Sequence, residues 1–147
     1  IAPDIQTKAF KLSQAKADGK YVVLYFYPRD NTSNCTIEAR KFAAYIDEFN
    51  KAGAIIVGIS TDGDASHQKF KEENNLPFTL ISDSEKKIIK EYDVSGFIWT
   101  QRATFLIDPE GKIAYIWRSV NVAKHAEEVL EQINKLKSEK STQGQAN

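Results

Sequence analysis

Cys35 is the only cysteine among 147 residues, and it stands where a thiol can react. An apolar run, Tyr21-Val22-Val23-Leu24-Tyr25-Phe26-Tyr27, stops at Pro28, and a helical pattern begins near Ser33. The sulfur therefore falls in the first turn of a helix that follows a strand. Backbone N–H groups in that turn lack helical partners, and the helix dipole favours negative charge there. The thiolate is the nucleophilic form of cysteine, so a thiol held there, ionised and open to solvent, is a candidate catalyst. Thr32 lies three residues before the thiol and Glu38 three after it.

Ionisation alone makes a weak catalyst. An ordinary thiol is a few per cent ionised at pH 7, so full ionisation multiplies the reactive population by roughly 30 at most. Lowering a thiol's pKa by about three units also weakens the nucleophile, by roughly 20-fold at a Brønsted slope near 0.45. The two nearly cancel. Large acceleration needs donors that polarise the substrate and stabilise the charge leaving with it. Thr32 offers a hydroxyl. A guanidinium would add more, and spacing does not choose among Arg29, Arg40, Arg102 and Arg118.

Composition narrows the classes. Twenty basic residues balance twenty acidic ones, which argues against a nucleic-acid partner, since such domains carry a basic surplus. One cysteine excludes an intramolecular disulfide, and Cys35-Thr36-Ile37-Glu38 is not a Cys-x-x-Cys motif. Only His67 and His125 could join it at a zinc ion, too few for a site, so no metal or other cofactor is expected. Both histidines lie on polar helical stretches and are read as solvated. The longest apolar run is about seven residues against the roughly 20 of a membrane helix, so no membrane partner is expected. A reduced, cytoplasmic compartment is the default expectation.

The elements around Cys35 follow from periodicity. Residues 1–20 read as an irregular or short-strand lead-in. Tyr21 to Tyr27 reads as a strand buried on both faces. Ala39, Phe42, Ala43, Ile46 and Phe49 fall on one stripe of a helix from Ser33 to Asn50. A strand is expected at Ala54–Ser60, a helix at Asp64–Asn74, a strand at Pro77–Ile81 and a helix at Ser84–Tyr92. Arg102–Ile107 and Lys112–Arg118 flank Asp108-Pro109-Glu110-Gly111, the signature of an antiparallel hairpin. Val122–Leu136 is the last helix. The order predicts an α/β fold, a central mixed sheet flanked by helices on both faces. One domain over 1–138 with a polar, frayed tail over 139–147 is expected.

Pro28-x-x-x-Thr32-x-x-Cys35 resembles the active-site motif of the peroxiredoxins, thiol peroxidases with a thioredoxin-like fold. Val22-Val23-Leu24-Tyr25-Phe26-Tyr27-Pro28, Cys35-Thr36-Ile37-Glu38, Leu76-Pro77-Phe78-Thr79-Leu80-Ile81-Ser82-Asp83 and Arg102-Ala103-Thr104-Phe105-Leu106-Ile107-Asp108 are similar to the bacterioferritin comigratory (PrxQ-like) branch. The likeness runs from about Tyr21 to Ile133. It implies that Cys35 is the peroxidatic cysteine, oxidised to a sulfenic acid by hydrogen peroxide or small organic hydroperoxides. Thr32 and the Cys35 N–H would then bind the peroxide, Arg102 would stabilise thiolate and transition state, Glu38 would orient Arg102, and Pro28 would shape the loop and shield the nascent sulfenic acid from water. Many members carry a resolving cysteine five residues after the first, where this chain has Arg40. The resemblance therefore implies a one-cysteine antioxidant enzyme, a monomer or weak homodimer. An external thiol would reduce it: thioredoxin, glutaredoxin or glutathione. Ser33-Asn34 replaces the usual Pro-Gly, and Phe97 and Trp99 sit in a shortened link before Arg102.

Rival readings use the same residues. A non-catalytic redox sensor, holdase or partner-binding protein on this fold needs no resolving thiol either. A glutathione-peroxidase-like enzyme would use Trp99 and Gln101, but the Pro28, Thr32 and Arg102 set fits the first family better. Disulfide exchange of the thioredoxin type lacks its second thiol.

Overall fold

The computed structural model describes residues 1–96 and 100–146. Phe97 and Trp99 lie outside the described residues. Five strands form one mixed sheet in the order β3-β2-β1-β4-β5. They are β1 (Tyr21–Phe26), β2 (Ala54–Ser60), β3 (Thr79–Ser82), β4 (Ala103–Ile107) and β5 (Ile113–Trp117). The first three run parallel, and β4 and β5 close the other edge as an antiparallel hairpin. Strand β1 is central, and all six of its residues are buried. Alternation divides them. Tyr21, Val23 and Tyr25, with Tyr27 beyond, face one hydrophobic cluster, while Val22, Leu24 and Phe26 face another.

On the first face lie α2 (Ser33–Ala44), α3 (Ile46–Lys51), α4 (Asp64–Asn74) and α6 (His125–Ala146), contributing Phe42, Phe49, Phe70, Val129 and Ile133. On the second lie α1 (Leu12–Ala17) and α5 (Lys87–Glu91), contributing Leu12, Ala15, Ile88 and Ile89. Helices thus cover both faces, the thioredoxin-like arrangement expected from the sequence.

Several boundaries differ for local reasons. Residues 1–20 contain α1, because Leu12 and Ala15 bury one turn against the second cluster. The helix read over 33–50 is two helices. It breaks at Tyr45 (φ −103°, ψ 15°), whose hydroxyl donates to Glu127 Oε1 at 2.7 Å. Helix α5 opens later than Ser84, because Lys86 adopts φ 62° after a turn closed by its N–H on the Asp83 carbonyl. Helix α6 opens at His125 rather than Val122, after a turn in which Asn121 accepts from Ala123 and Lys124, and it continues past Leu136 to Ala146. None of these helices is long and apolar enough to cross a membrane.

Candidate active site

The loop after β1 holds the candidate residues, at the carboxyl end of a parallel strand where α/β sheets place their sites. Asn31 turns the chain at φ 62°, a left-handed conformation that asparagine tolerates. Thr32 is the N-cap residue of α2, with extended backbone. Its carbonyl accepts from the Thr36 N–H at 2.9 Å, opening the helical ladder. Ser33, Asn34 and Cys35 occupy the first turn, ahead of that ladder, and the sulfur points inward.

Cys35 is 1% exposed. The expectation of a sulfur open to solvent is therefore corrected: it belongs to the first-face cluster with Tyr27, Ala39 and Phe42. Burial leaves it in polar company, because Arg102 Nη2 donates to Cys35 Sγ at 3.1 Å. Arg102 arrives there by register. Phe26 pairs with Ala103 across the antiparallel β1–β4 ladder, so the residue before β4 lies beside the loop leaving β1. Arg102 Nη1 donates to Glu38 Oε1 at 2.7 Å. A guanidinium fork satisfies both acceptors at once.

Glu38 sits one turn after Cys35 on α2 and is 1% exposed. Its Oε2 is buried without a hydrogen-bond partner among the described residues. Burial pushes this carboxyl up to about 7, against the opposing pull of Arg102. Thr32 does not aim its proton at the sulfur: Oγ1 donates to the Arg29 carbonyl at 2.9 Å. Pro28, Arg29, Thr32, Ser33, Asn34 and Arg102 line a cleft of about 420 Å³ over this turn. Arg40, at the position of a resolving cysteine, is exposed and donates through Nε to Asn74 Oδ1 at 2.8 Å.

Both histidines overturn the sequence reading, since each is buried: His67 4% and His125 1% exposed. His67 joins Asp30 and Tyr27 beneath the loop. His125 lies edge-on to Phe42 and Trp117, with Nε2 2.7 Å from Thr104 Oγ1. Burial first, and the Arg102 charge second, pull its pKa down to about 4. Asp30, at 5% exposure, also escaped sequence reasoning. The signal for it was weak: an aspartate two residues after a strand-ending proline.

Known proteins carry the same architecture. Residues 1–116 match the AhpC/TSA family. Peroxiredoxin Bcp of Bacillus subtilis is 42% identical over 143 residues, covering 88% of this chain and 90% of that protein. The structure of Xanthomonas campestris peroxiredoxin Q superposes with a TM-score of 0.81 at 36% identity, covering 86% of this chain and 84% of its own. A cysteine-to-serine mutant of Xylella fastidiosa PrxQ superposes at 0.82 and 33% identity, over 95% and 96% of the two chains. Sequence and backbone thus point the same way along most of the molecule, and the chain belongs to the AhpC/TSA family, as a thiol-dependent peroxidase of its Bcp/PrxQ branch.

Proposed function

We propose that Cys35 is the peroxidatic residue of a one-cysteine cycle run on an external thiol. The observation that carries this is the Arg102 fork, which reaches from the start of β4 to donate to Cys35 Sγ and Glu38 Oε1, one turn apart on α2. The sulfur lone pair attacks the terminal oxygen of R–O–O–H. The S–O bond forms as the O–O bond breaks, sulfur is oxidised by two electrons, and the alkoxide leaves and takes a proton to become ROH. Arg102 stabilises the sulfur anion and the negative charge spreading over the oxygens. Thr32 Oγ1, its own proton committed to Arg29, offers lone pairs to the peroxide O–H. Glu38 holds the guanidinium beside the sulfur, and Pro28 forms part of the cleft wall.

The chain has no second cysteine, so a thiol from outside closes the cycle. One thiol displaces water from the sulfenic acid to give a mixed disulfide, and a second releases Cys35 as a thiol with the reductant's disulfide. Thioredoxin, glutaredoxin and glutathione are the candidate donors. Hydrogen peroxide needs roughly 60 Å³, about two waters' share of liquid volume. The cleft of about 420 Å³ leaves room for small organic hydroperoxides. A relative, the Xanthomonas campestris bacterioferritin comigratory protein, is described for alkyl peroxide reduction in complexes with a trapped ligand. The test is Cys35→Ser: peroxide consumption ends, and unchanged turnover would overturn the assignment. In the wild type, many turnovers per chain with a thiol donor are expected. A single stoichiometric oxidation would leave a redox sensor instead.

A further inference from the structure

We propose that Asp30 and His67 are positioning residues for the peroxide step, a bolt that holds the Pro28–Thr32 loop against the β2–α4 junction so that Thr32 and the first turn of α2 keep their place over the sulfur. The inference rests on the peroxidatic role of Cys35 given above. The loop between β1 and α2 spans the cleft wall and has to be tied to the layer beneath it. Asp30 does so. Its Oδ1 accepts from the Tyr27 hydroxyl at 2.6 Å, and its Oδ2 accepts from Ser66 Oγ at 2.8 Å. The same Oδ2 faces His67 Nδ1 at 2.8 Å. Its backbone N–H donates to Asp62 Oδ2 at 2.7 Å, and that oxygen also accepts from Ser60 Oγ. Two residues further on, the Thr32 hydroxyl closes the turn on Arg29.

Proton counting shows what the bolt needs. His67 Nε2 faces the Ile81 carbonyl at 3.0 Å, which can only accept, so Nε2 carries a hydrogen. The short Nδ1···Oδ2 contact then requires a second proton between ring and carboxylate. The pair therefore stands as imidazolium and carboxylate, buried and neutral together. Asp30 from the loop and Asp62 from the β2–α4 connection face the ring, Tyr27 flanks it from the end of β1, and Asp64 and Lys71 of its own helix line the shallow cleft beside it. Burial works against the charged ring, but its hydrogen bond to Asp30, the charge of Asp30, the Ile81 carbonyl and Asp62 together outweigh that, so the His67 pKa stands above the ordinary range. Loss of that proton at alkaline pH sets two acceptors face to face and frees the loop.

A displacement of about 1 Å at a reacting centre costs roughly a hundredfold in rate. Stopped-flow oxidation of Cys35 should therefore slow about a hundredfold in Asp30→Asn and in His67→Gln. Ser66→Ala removes one donor from a half-buried site, and it should slow the reaction in the same direction by a smaller factor. It carries the test if the other two fail to fold. A purely structural role would leave two further readouts unmoved. The wild-type rate should fall as pH rises above the ordinary histidine range, and that alkaline limb should vanish in His67→Gln. Losses in Ser66→Ala or Asp30→Asn should also be non-additive with Thr32→Val. Wild-type rates in all three bolt variants, or strictly additive losses with no change in the pH profile, would overturn the positioning role. Peroxide turnover in Cys35→Ser would instead overturn the assignment on which it rests.

Discussion

Arg102 and Glu38 form a 2.7 Å ion pair in which the guanidinium is 18% exposed and the carboxylate 1%. Removing the arginine strands a buried acid, so Arg102→Ala acts on stability as well as on the reaction. Loss of a single charge-stabilising donor costs about 10²–10³ in rate, and that loss is expected in the rate of Cys35 oxidation. The stability cost depends on pH. Glu38 already binds a proton near pH 7, and without Arg102 it binds one more tightly. Arg102→Ala should thus lose little stability at pH 6 and markedly more at pH 8.5, where the wild type gains its ion pair and the variant must stay protonated. Urea midpoints at the two pH values decide this, and an equal loss at both would refute it.

Thr32 separates a hydroxyl from a shape. Thr32→Ser keeps the donor to the Arg29 carbonyl, and its oxidation rate should stay close to wild type. Thr32→Val removes the donor and the lone pairs together. It should lower stability by about 1 kcal/mol, the net worth of one hydrogen bond, while slowing oxidation at least tenfold. Equal rates for the two variants would remove Thr32 from the chemistry.

Gly58 is the gap into which Tyr25 fits. The two pair across β1 and β2, and a Cβ at Gly58 would lie 2.8 Å from Tyr25 Cζ and 2.9 Å from its hydroxyl. Leu80 Cδ2, also at 2.8 Å, can rotate, but the tyrosine ring is packed against Tyr27, Phe42 and Phe78. Overfilling such a site costs about 1–3 kcal/mol. Gly58→Ala should lower the melting midpoint accordingly, and Gly58→Ala with Tyr25→Phe should recover only part, since ring carbon as well as hydroxyl obstructs. A stable single variant would show that the sheet shifts freely there.

What was legible in the sequence was what neighbours along the chain decide. Ala54–Ser60 and Asp64–Asn74 agree with the sequence reading to the residue, because a β-branched run in one and a polar amphipathic pattern in the other are local signals. Helix α1 was missed, since two buried residues make too short a stripe to register. The site divides the same way. Cys35, Thr32 and Glu38 lie close along the chain, at the start of α2, and were visible from spacing. Arg102 lies 67 residues from the sulfur and was chosen only by resemblance, because β1–β4 pairing, and not spacing, brings it there. His67 and His125 read as solvated because the groups that bury them, Asp30 and Thr104, come from 37 and 21 residues away.

Glu38 and His125, both close to Arg102, should hide each other's titration. Glu38 ordinarily titrates near 4.5 but at about 7 in the fold. The native state therefore binds its proton more tightly, and stability falls as pH rises from about 4.5 to about 7. His125 is moved the other way, from 6.5 to about 4. There the unfolded chain binds the proton more tightly, so stability falls as pH drops from about 6.5 to about 4. Each window is worth about 3 kcal/mol, and where they overlap, between about 4.5 and 6.5, the slopes cancel. The Asp30–His67 pair does not fill the gap, because a lowered aspartate loses its contribution below the ordinary carboxylate range and a raised histidine above pH 6.5. Wild-type urea midpoints should be flat across that interval. Glu38→Gln should uncover the histidine, losing stability on acidification. His125→Gln, which keeps a partner for Thr104, should uncover the acid and lose stability as pH rises. Three parallel curves would mean that neither group is held in its buried, neutral form.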